Sequence, residues 1–171
     1  PSANNTVSAL ALDAGGMVYA GGYFGSIGGQ SRNYIARLSG SAAGAADPVW
    51  DPSANDIVES LALDSSGAVY VGGGFSSIGG QLRSRIAKLS GSGTGAADPA
   101  WNPSANTLVT SLVVDDSGTV YAGGLFTRVG DEAHTGLVRL NANGVPDEPR
   151  VELHRPGVVR ALARQPDGGL I

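Results

Sequence analysis

The sequence predicts an all-β protein made of repeated units, and three observations support this fold class. The string Pro-Ser-Ala-Asn begins at Pro1, Pro52 and Pro103, so the chain repeats every 51 residues, and a fixed period of this kind is typical of solenoids, propellers and arrays. Glycine supplies 27 of the 171 residues, which suits short strands joined by tight turns. No segment shows an apolar period of 3.6 residues over the length of a helix.

Each unit opens with a strand that alternates apolar with small or polar residues and then becomes apolar on both faces, a pattern that predicts burial. These first strands are Val7–Leu12, Val58–Leu63 and Val109–Val114. A turn follows, begun by an Asp that can bond the backbone two residues on and closed by a Gly that accepts a positive φ. The turn aspartates are Asp13, Asp64 and Asp115.

The second strand of each unit ends in two glycines. The pairs are Gly21 and Gly22, Gly72 and Gly73, and Gly123 and Gly124. Because glycine weakens a strand, its recurrence here predicts either a close backbone approach from a neighbour or a β-bulge. An aromatic residue two positions later is expected to anchor the core. These aromatic residues are Phe24, Phe75 and Phe126.

The third strand alternates aliphatic residues with one basic residue, so one of its faces is expected to be buried and the other wet. The basic residues are Arg37, Lys88 and Arg139. A loop rich in Gly, Ser and Ala follows in the first two units and ends at Trp50 and Trp101. We expect both tryptophans to lie on a short fourth strand or its return loop and to pack against the next unit.

Four short antiparallel strands in about 50 residues are the content of one β-propeller blade. The sequence therefore predicts three full repeats and the start of a fourth. The predicted boundaries are 1–51, 52–102, 103–150 and 151–171. The third repeat is irregular, because residues 128–134 replace the Gly-Gly-Gln turn of the other repeats and no Trp follows.

The succession of an apolar strand, an Asp/Gly turn, Val-Tyr-x-Gly-Gly, Phe, a Gly-Gly turn and Ile-Ala-Arg-Leu resembles the delta-60 repeat family of bacterial β-propellers. The resemblance is strongest over residues 7–38, 58–89 and 109–126. It implies a propeller fold and a place in a large secreted or cell-surface protein with many repeats. It transfers no catalytic residue, because none is established for the repeat itself.

Three repeats and part of a fourth do not close a ring, since propellers have about four to eight blades. Open blade faces would then be exposed. The chain is therefore expected to be part of a longer polypeptide, or to complete a ring with a second chain, or to stack into an open solenoid or filament. The expected partners are further repeats of the same polypeptide or other copies of the chain, with surface glycans or proteins as further candidates.

Composition excludes several classes of protein. The formal net charge of −4 argues against a nucleic-acid partner. The chain contains no cysteine, which excludes disulfides, cysteine zinc sites and thiol catalysis. No apolar run reaches the ~18 residues that a membrane span requires.

Two sets of acidic residues are candidates for a site. The repeated turn aspartates could bind calcium, but each turn offers one or two carboxylates where calcium takes about six to eight oxygen ligands, so we expect turn formation and no cofactor. Asp131, Glu132 and His134 lie in the irregular third repeat, where a grafted metal or catalytic site would be expected. Glu152 and His154 follow in the same irregular region. The spacing of Glu132 and His134 is unlike HExxH, and solvated loop residues are the favoured interpretation. Glu132 and Glu152 are the two carboxylates that could form a pair for glycoside hydrolysis.

Repeated basic and aromatic residues offer a further alternative. The third-strand cations, with Arg32 and Arg83, could line a groove for an anionic glycan, although pairing with Asp47 or Asp98 or plain solvation is favoured. The repeated tyrosines could stack on sugars, although core packing is favoured. They are Tyr19, Tyr70 and Tyr121.

Every strongly repeated residue has a structural role, and no polar catalytic set recurs. The sequence therefore predicts a non-enzymatic structural or interaction module of a secreted or cell-surface bacterial protein, acting as a scaffold, adhesin or filament subunit. The alternative is a carbohydrate-binding or carbohydrate-processing β-propeller that uses the loops of the third repeat.

Overall fold

The computed structural model describes residues 2–40, 44–147, 157–165 and 169–171, and every regular element within them is a β-strand. The strands form three three-stranded sheets, one in each repeat, and three two-stranded hairpins. The predicted all-β fold is therefore confirmed.

The three repeats contain the same five strands in the same order. The first repeat has β1 (Val7–Leu12), β2 (Val18–Gly22), β3 (Ser26–Ile27), β4 (Gln30–Ser31) and β5 (Ile35–Leu38). The second repeat has β6 (Val58–Leu63), β7 (Val69–Gly73), β8 (Ser77–Ile78), β9 (Gln81–Leu82) and β10 (Ile86–Leu89). The third repeat has β11 (Val109–Val114), β12 (Val120–Gly124), β13 (Arg128–Val129), β14 (Glu132–Ala133) and β15 (Leu137–Leu140). The sequence of the third repeat departs from the pattern, but its backbone does not.

Each sheet is antiparallel, with the second strand between the first and the third. In the first repeat the order is β1-β2-β5, and Tyr19 lies opposite Ala11 on one side and Arg37 on the other. The turn between β1 and β2 is closed by Gly16 at a φ of 82°, whose N–H donates to the carbonyl of Asp13 at 3.1 Å. The predicted turn is thus present.

A β-bulge interrupts the ladder at the start of each first strand. Val7 lies opposite Gly22 and Ala9 opposite Gly21, so Ser8 is an extra residue on β1. The backbones are close here: a Cβ built on Gly22 would lie 2.2 Å from the carbonyl oxygen of Thr6. The bulge predicted from the glycine pair is therefore confirmed, and it explains the second glycine of the pair.

The fourth strand of each blade is reduced to a single bridge. Leu38 pairs with Ala46, and the other repeats show the same bridge. Asp47 N–H still donates to the carbonyl of Arg37 at 2.8 Å, but Pro48 follows, and proline has no N–H with which to extend the ladder. Each blade therefore has three full strands and a vestigial fourth, rather than four.

The core lies between successive repeats. The first strands are side by side, β1 against β6 and β6 against β11. The hydrophobic cluster around Val69 and Phe75 in the second repeat also contains Tyr19, Ile35 and Trp50 from the first. The hydrophobic core of the second and of the third repeat is therefore completed by side chains of the repeat that precedes it. All three predicted phenylalanine anchors are fully buried, as are both tryptophans.

The predicted start of a fourth repeat falls only partly within the described residues, since 151–156 and 166–168 lie outside them. In the described part, Val159 reaches Gly123 of the third repeat, and Leu162 N–H donates to Ser111 Oγ at 2.9 Å. These contacts match those that β11 makes with the second repeat. The segment 157–165 therefore packs against the third repeat as β11 packs against the second, although these residues form no named strand.

Candidate functional site

The first glycine of each pair receives a valine from the next repeat. An ideal Cβ on Gly72 would lie 2.7 Å from Val109 Cγ1, and one on Gly123 would lie 2.4 Å from Val159 Cγ1. The close approach predicted from sequence is confirmed, but the approaching group is a valine side chain instead of a backbone. This glycine is needed for contact between repeats, whereas the second is needed within its own sheet.

Each tryptophan joins two repeats. Trp50 lies on the return loop after the bridge and packs edge-on against Tyr19, with ring centroids 5.2 Å apart and an interplanar angle of 82°. Its Nε1 donates to the carbonyl of Ser90 in the second repeat at 2.9 Å. Trp101 repeats the arrangement against Tyr70, with centroids 5.4 Å apart. The repeated tyrosines Tyr19 and Tyr70 are therefore core residues, as the sequence indicates.

An ion pair joins β5 of the first blade to the loop that follows it. Arg37 Nη2 lies 2.6 Å from Asp47 Oδ2, and Arg37 also donates to the carbonyl of Gly91 in the second repeat. Partial burial would raise the pKa of Asp47, but the N–H groups of Trp50 and Val49 and the guanidinium of Arg37 lower it to about 2. This carboxylate is therefore held ionised by groups of its own repeat.

The basic residues predicted for a glycan groove have structural partners. Arg139 pairs with Asp147 at 2.6 Å, and Lys88 Nζ lies 5.4 Å from the centroid of the Tyr70 ring. Arg32 and Arg83 are buried, and each donates to backbone carbonyls of its own repeat. The predicted pairing with Asp47 is thus confirmed for Arg37. Arg139 pairs with Asp147, which the sequence analysis did not name, and Lys88 packs on an aromatic ring.

The turn aspartates use their carboxylates to hold the turns. Asp64 Oδ1 accepts the N–H groups of Ser66 and Ala68, and Asp64 Oδ2 accepts the hydroxyl of Tyr70 at 3.1 Å. Burial would raise the pKa of Asp64, but these hydrogen bonds, with that from the Ser66 hydroxyl, lower it below its ordinary value. The described residues contain no group of three or more His, Cys, Asp or Glu side chains that could hold a metal ion.

The candidate residues of the third repeat come together only in part. Asp131 and Glu132 are exposed on the hairpin of β13 and β14, and Asp131 uses its carbonyl to accept from Arg128 Nη2 at 2.7 Å. His134 is buried, in the place that Arg32 and Arg83 occupy, and its Nε2 lies 3.6 Å from Glu132 Oε2. Glu152 and His154, the other residues considered, lie outside the described residues.

Sequence reasoning missed the role of the Asn in Pro-Ser-Ala-Asn. Asn55 Oδ1 accepts the N–H groups of Ser76 and Ser77, at 2.9 and 3.0 Å, and Asn55 Nδ2 donates to Ser76 Oγ. Asn4 and Asn106 accept the equivalent pairs of N–H groups. The repeated string was the available signal, because an amide recurring before every first strand indicates a fixed hydrogen-bonding role.

The three antiparallel sheets follow one another along the chain, and valine and tryptophan side chains join each repeat to the next. This arrangement defines a β-propeller repeat domain. The chain matches the β-propeller family described as a domain of unknown function (DUF5122) over residues 16–41, 65–95 and 116–148. These segments make up more than half of the chain, and the chain belongs to that family.

The structure is similar to the extracellular domain of a putative one-component system from B. thetaiotaomicron, with a TM-score of 0.59 and 17% sequence identity over 98% of this chain. The chain spans 20% of the length of that protein, and at this identity the likeness shows the fold alone. No curated protein matches the chain. Among the described residues there is no helix long and apolar enough to cross a membrane.

Proposed function

We propose that this domain is a non-enzymatic structural and interaction module of a secreted or cell-surface bacterial protein of the delta-60 repeat type, and that its first repeat docks a further repeat. The observation that carries the proposal is the open face of the first repeat, formed by Val7, Leu10 and Val18. Support for the location comes from the sequence resemblance and from the extracellular setting of the similar structure.

The open face is apolar and uncovered, whereas the same face is covered in the repeats that follow. Leu10 is 67% exposed, while its counterparts Leu61 and Leu112 are 9% and 6% exposed. Val7 is 38% exposed, while Val58 is fully buried. Residues with similar local sequence therefore differ in burial because β6 and β11 each pack against another repeat on this face, which in the first repeat is uncovered in the structure.

The open face also has the shape of a docking groove. A groove of about 390 Å³ runs along it and is lined by Val7, Leu10, Val18, Ile27 and Leu38. Burial of such surface is favourable by about 25 cal/mol per Å², and an exposed contiguous apolar patch on a soluble protein marks an interaction site.

The chain itself shows what covers this face in the other repeats. Val58 sits against Gly21, and Val109 sits against Gly72. Gly123 is likewise covered by Val159, so every diglycine strand of the chain already has its partner. By the same geometry, the occupant of the open face is a further repeat that brings its own diglycine strand.

The lack of catalytic function is supported by how the recurring polar groups are used. The turn aspartates hold turns, Arg83 holds backbone carbonyls, and Asn55 caps a hairpin. The alternative, a carbohydrate-binding or carbohydrate-processing propeller, rests on Glu132 beside the buried His134. A glycan array and a hydrolysis assay that compare the chain with Glu132→Gln test it, and a signal that the variant loses would favour this alternative.

Cysteine labelling tests the docking proposal cleanly, because the chain has no cysteine of its own. We expect Leu10→Cys to react rapidly with a maleimide, and Leu61→Cys, its covered counterpart, to react slowly. Joining an extra copy of residues 52–102 before Pro1 should slow labelling at position 10 at least about tenfold, to the rate at position 61, because the added repeat covers it.

Two outcomes would contradict the docking proposal. One is rapid labelling at position 10 in the extended chain while position 61 stays protected, which would show a folded protein with an unused face. The other is protection of position 10 that rises with the concentration of the unextended chain. Sedimentation would then identify a second copy as the occupant.

A further inference from the structure

A second surface lies where the first strands of the three repeats meet the segment 157–165. An open pocket of about 570 Å³ is lined there by one residue from each repeat, namely Ser8, Glu59, Thr110 and Arg160. We call it the axial pocket. Its position on four different repeats means that it exists only because the repeats assemble.

Ser8, Glu59 and Thr110 are the extra residues of the three β-bulges, and Arg160 is the equivalent residue of the segment that follows the third repeat. Glu59 lies between the paired residues Val58 and Ser60, as Thr110 lies between Val109 and Ser111. Arg160 lies between the contacts of Val159 and Leu162 with the third repeat. A bulge turns the extra side chain out of the regular alternation of the strand, and here the three bulge residues and Arg160 line one pocket.

The bulge position differs between repeats although its neighbours hardly differ. The preceding residue is valine in every repeat, and it packs against a glycine wherever a repeat precedes it. The bulge residue is instead a hydroxyl, a carboxylate, a second hydroxyl and a guanidinium. Two of these side chains also bond to a neighbouring repeat, since Thr110 Oγ1 donates to the carbonyl of Val159 and Glu59 accepts from Tyr23. The four groups form one asymmetric polar set.

The pocket contains both signs of charge without pairing them. Glu59 Oε1 accepts the hydroxyl of Tyr23 at 2.8 Å. Neither Glu59 nor Arg160 forms an ion pair within 4.0 Å with any residue that the structure describes. The remaining wall is apolar and partly exposed, formed by Leu108, Leu125 and Val158. A carboxylate, a guanidinium and an aliphatic wall thus face one space.

We propose that the axial pocket binds a zwitterionic ligand with an apolar side chain, of the class of amino acids and short peptides. Its ammonium group binds Glu59, its carboxylate binds Arg160, and its side chain packs on Leu108, Leu125 and Val158. A simple anion would be repelled by Glu59, and a neutral sugar would leave both charges of the pocket without a counter-charge. The binding function goes beyond the structural role proposed above.

The test is a titration of the whole chain with leucine and, separately, with the dipeptide Leu-Leu. Binding is monitored by the change in the NMR chemical shifts of the protein. We expect saturable binding of at least one of the two probes. N-acetyl-leucine, which lacks the ammonium, and leucinamide, which lacks the carboxylate, should each bind about tenfold more weakly, because each loses one charge-assisted hydrogen-bonded contact.

Variants of the chain separate the pocket from nonspecific effects. Glu59→Gln and Arg160→Gln should each weaken binding of the better probe about tenfold. Asp131→Asn and Arg128→Gln change the same charges on the hairpin of the third repeat, away from the pocket, and should leave binding unchanged. Both pocket side chains reach solvent, and an unchanged unfolding midpoint confirms that each variant is folded.

Three results would overturn the proposal. The first is no saturable binding of either probe up to about 10 mM, which is weaker than any specific site of this size. The second is equal binding of the blocked and unblocked probes. The third is equal loss of binding in the pocket variants and in the hairpin controls.

Discussion

A methyl group of Val58 occupies the space that any side chain on Gly21 would need, since an ideal Cβ on Gly21 lies 2.4 Å from Val58 Cγ1. Gly21 belongs to the first repeat and Val58 to the second. The contact between repeats therefore requires a glycine in one repeat and a β-branched valine in the next. The same relationship joins Gly72 to Val109.

Gly21→Ala is expected to destabilise the protein by about 1–3 kcal/mol, because the added methyl group overpacks the contact with Val58. Gly25→Ala is the matched control, since its Cβ would meet only Asn4 Nδ2, at 3.8 Å, and its φ is not positive. Urea unfolding measures both. The double variant with Val58→Ala should recover part of the loss, and equal effects of the two single variants would contradict the assignment.

The two tryptophans differ in one hydrogen bond, which allows a paired comparison. Trp50 Nε1 donates to Ser90, whereas Trp101 Nε1 is buried with no hydrogen-bond partner among the described residues. Trp50→Phe should therefore cost about 1 kcal/mol more than Trp101→Phe, because both lose ring area but only the first loses a hydrogen bond. Thermal and urea unfolding give the difference, and a larger cost at Trp101 would refute it.

A serine hydroxyl links the first strands of neighbouring repeats. Ser60 Oγ accepts the N–H of Leu112 at 2.9 Å, and the first repeat has Ala9 in the equivalent place. Ser60→Ala should destabilise the protein by about 1–2 kcal/mol, because it leaves a buried N–H unpaired. Ala9→Ser should stabilise it by up to about 1 kcal/mol by offering the same acceptor to Leu61. Opposite signs in urea unfolding confirm the link, and a neutral Ser60→Ala would refute it.

The pKa of Asp47 predicts a loss of stability in acid. Its pKa falls from 3.8 to about 2 on folding, so the ionised form stabilises the folded state. That contribution, about 2 kcal/mol, is fully present above about pH 5 and is lost progressively as the pH falls through 4 toward about 1. Asp64 and Asp115, whose pKa values are also lowered, act in the same direction.

Urea unfolding between pH 6 and pH 2 measures this dependence on pH. Asp47→Asn should be less stable than the parent near neutral pH and should lose less stability below pH 4, because it has no carboxylate to protonate there. Identical slopes for the parent and the variant between pH 4 and pH 2 would show that Asp47 does not contribute.

Much of the fold could be predicted because its signals are local. The Asp64 turn with its closing Gly67 and the alternation of the first strands each lie within about ten residues, and the structure places the turns and first strands where the sequence indicates. Bulges were predicted from the glycine pairs for the same reason. The fourth strand was overestimated, because the effect of Pro48 on a ladder depends on how far that ladder would otherwise extend.

The features between repeats were harder to predict. Nothing near Gly21 in sequence indicates that Val58 fills its space, and nothing near Arg83 indicates that a guanidinium is buried with carbonyl partners. The axial pocket was not predicted at all. Its residues, Ser8 and Glu59 among them, are about 51 residues apart in sequence and meet only when the repeats pack.

The sequence by itself determined the three strands of each main sheet and their order, because turn chemistry and side-chain alternation act over a few residues. It did not determine the short hairpin of each repeat or the reduction of the fourth strand to a bridge. The tertiary structure decided which surfaces are covered. Leu10 and Leu61 lie in nearly identical local sequence, yet they are 67% and 9% exposed. The physical reason is that burial depends on the presence of a neighbouring repeat, and a residue's own segment carries no information about that neighbour.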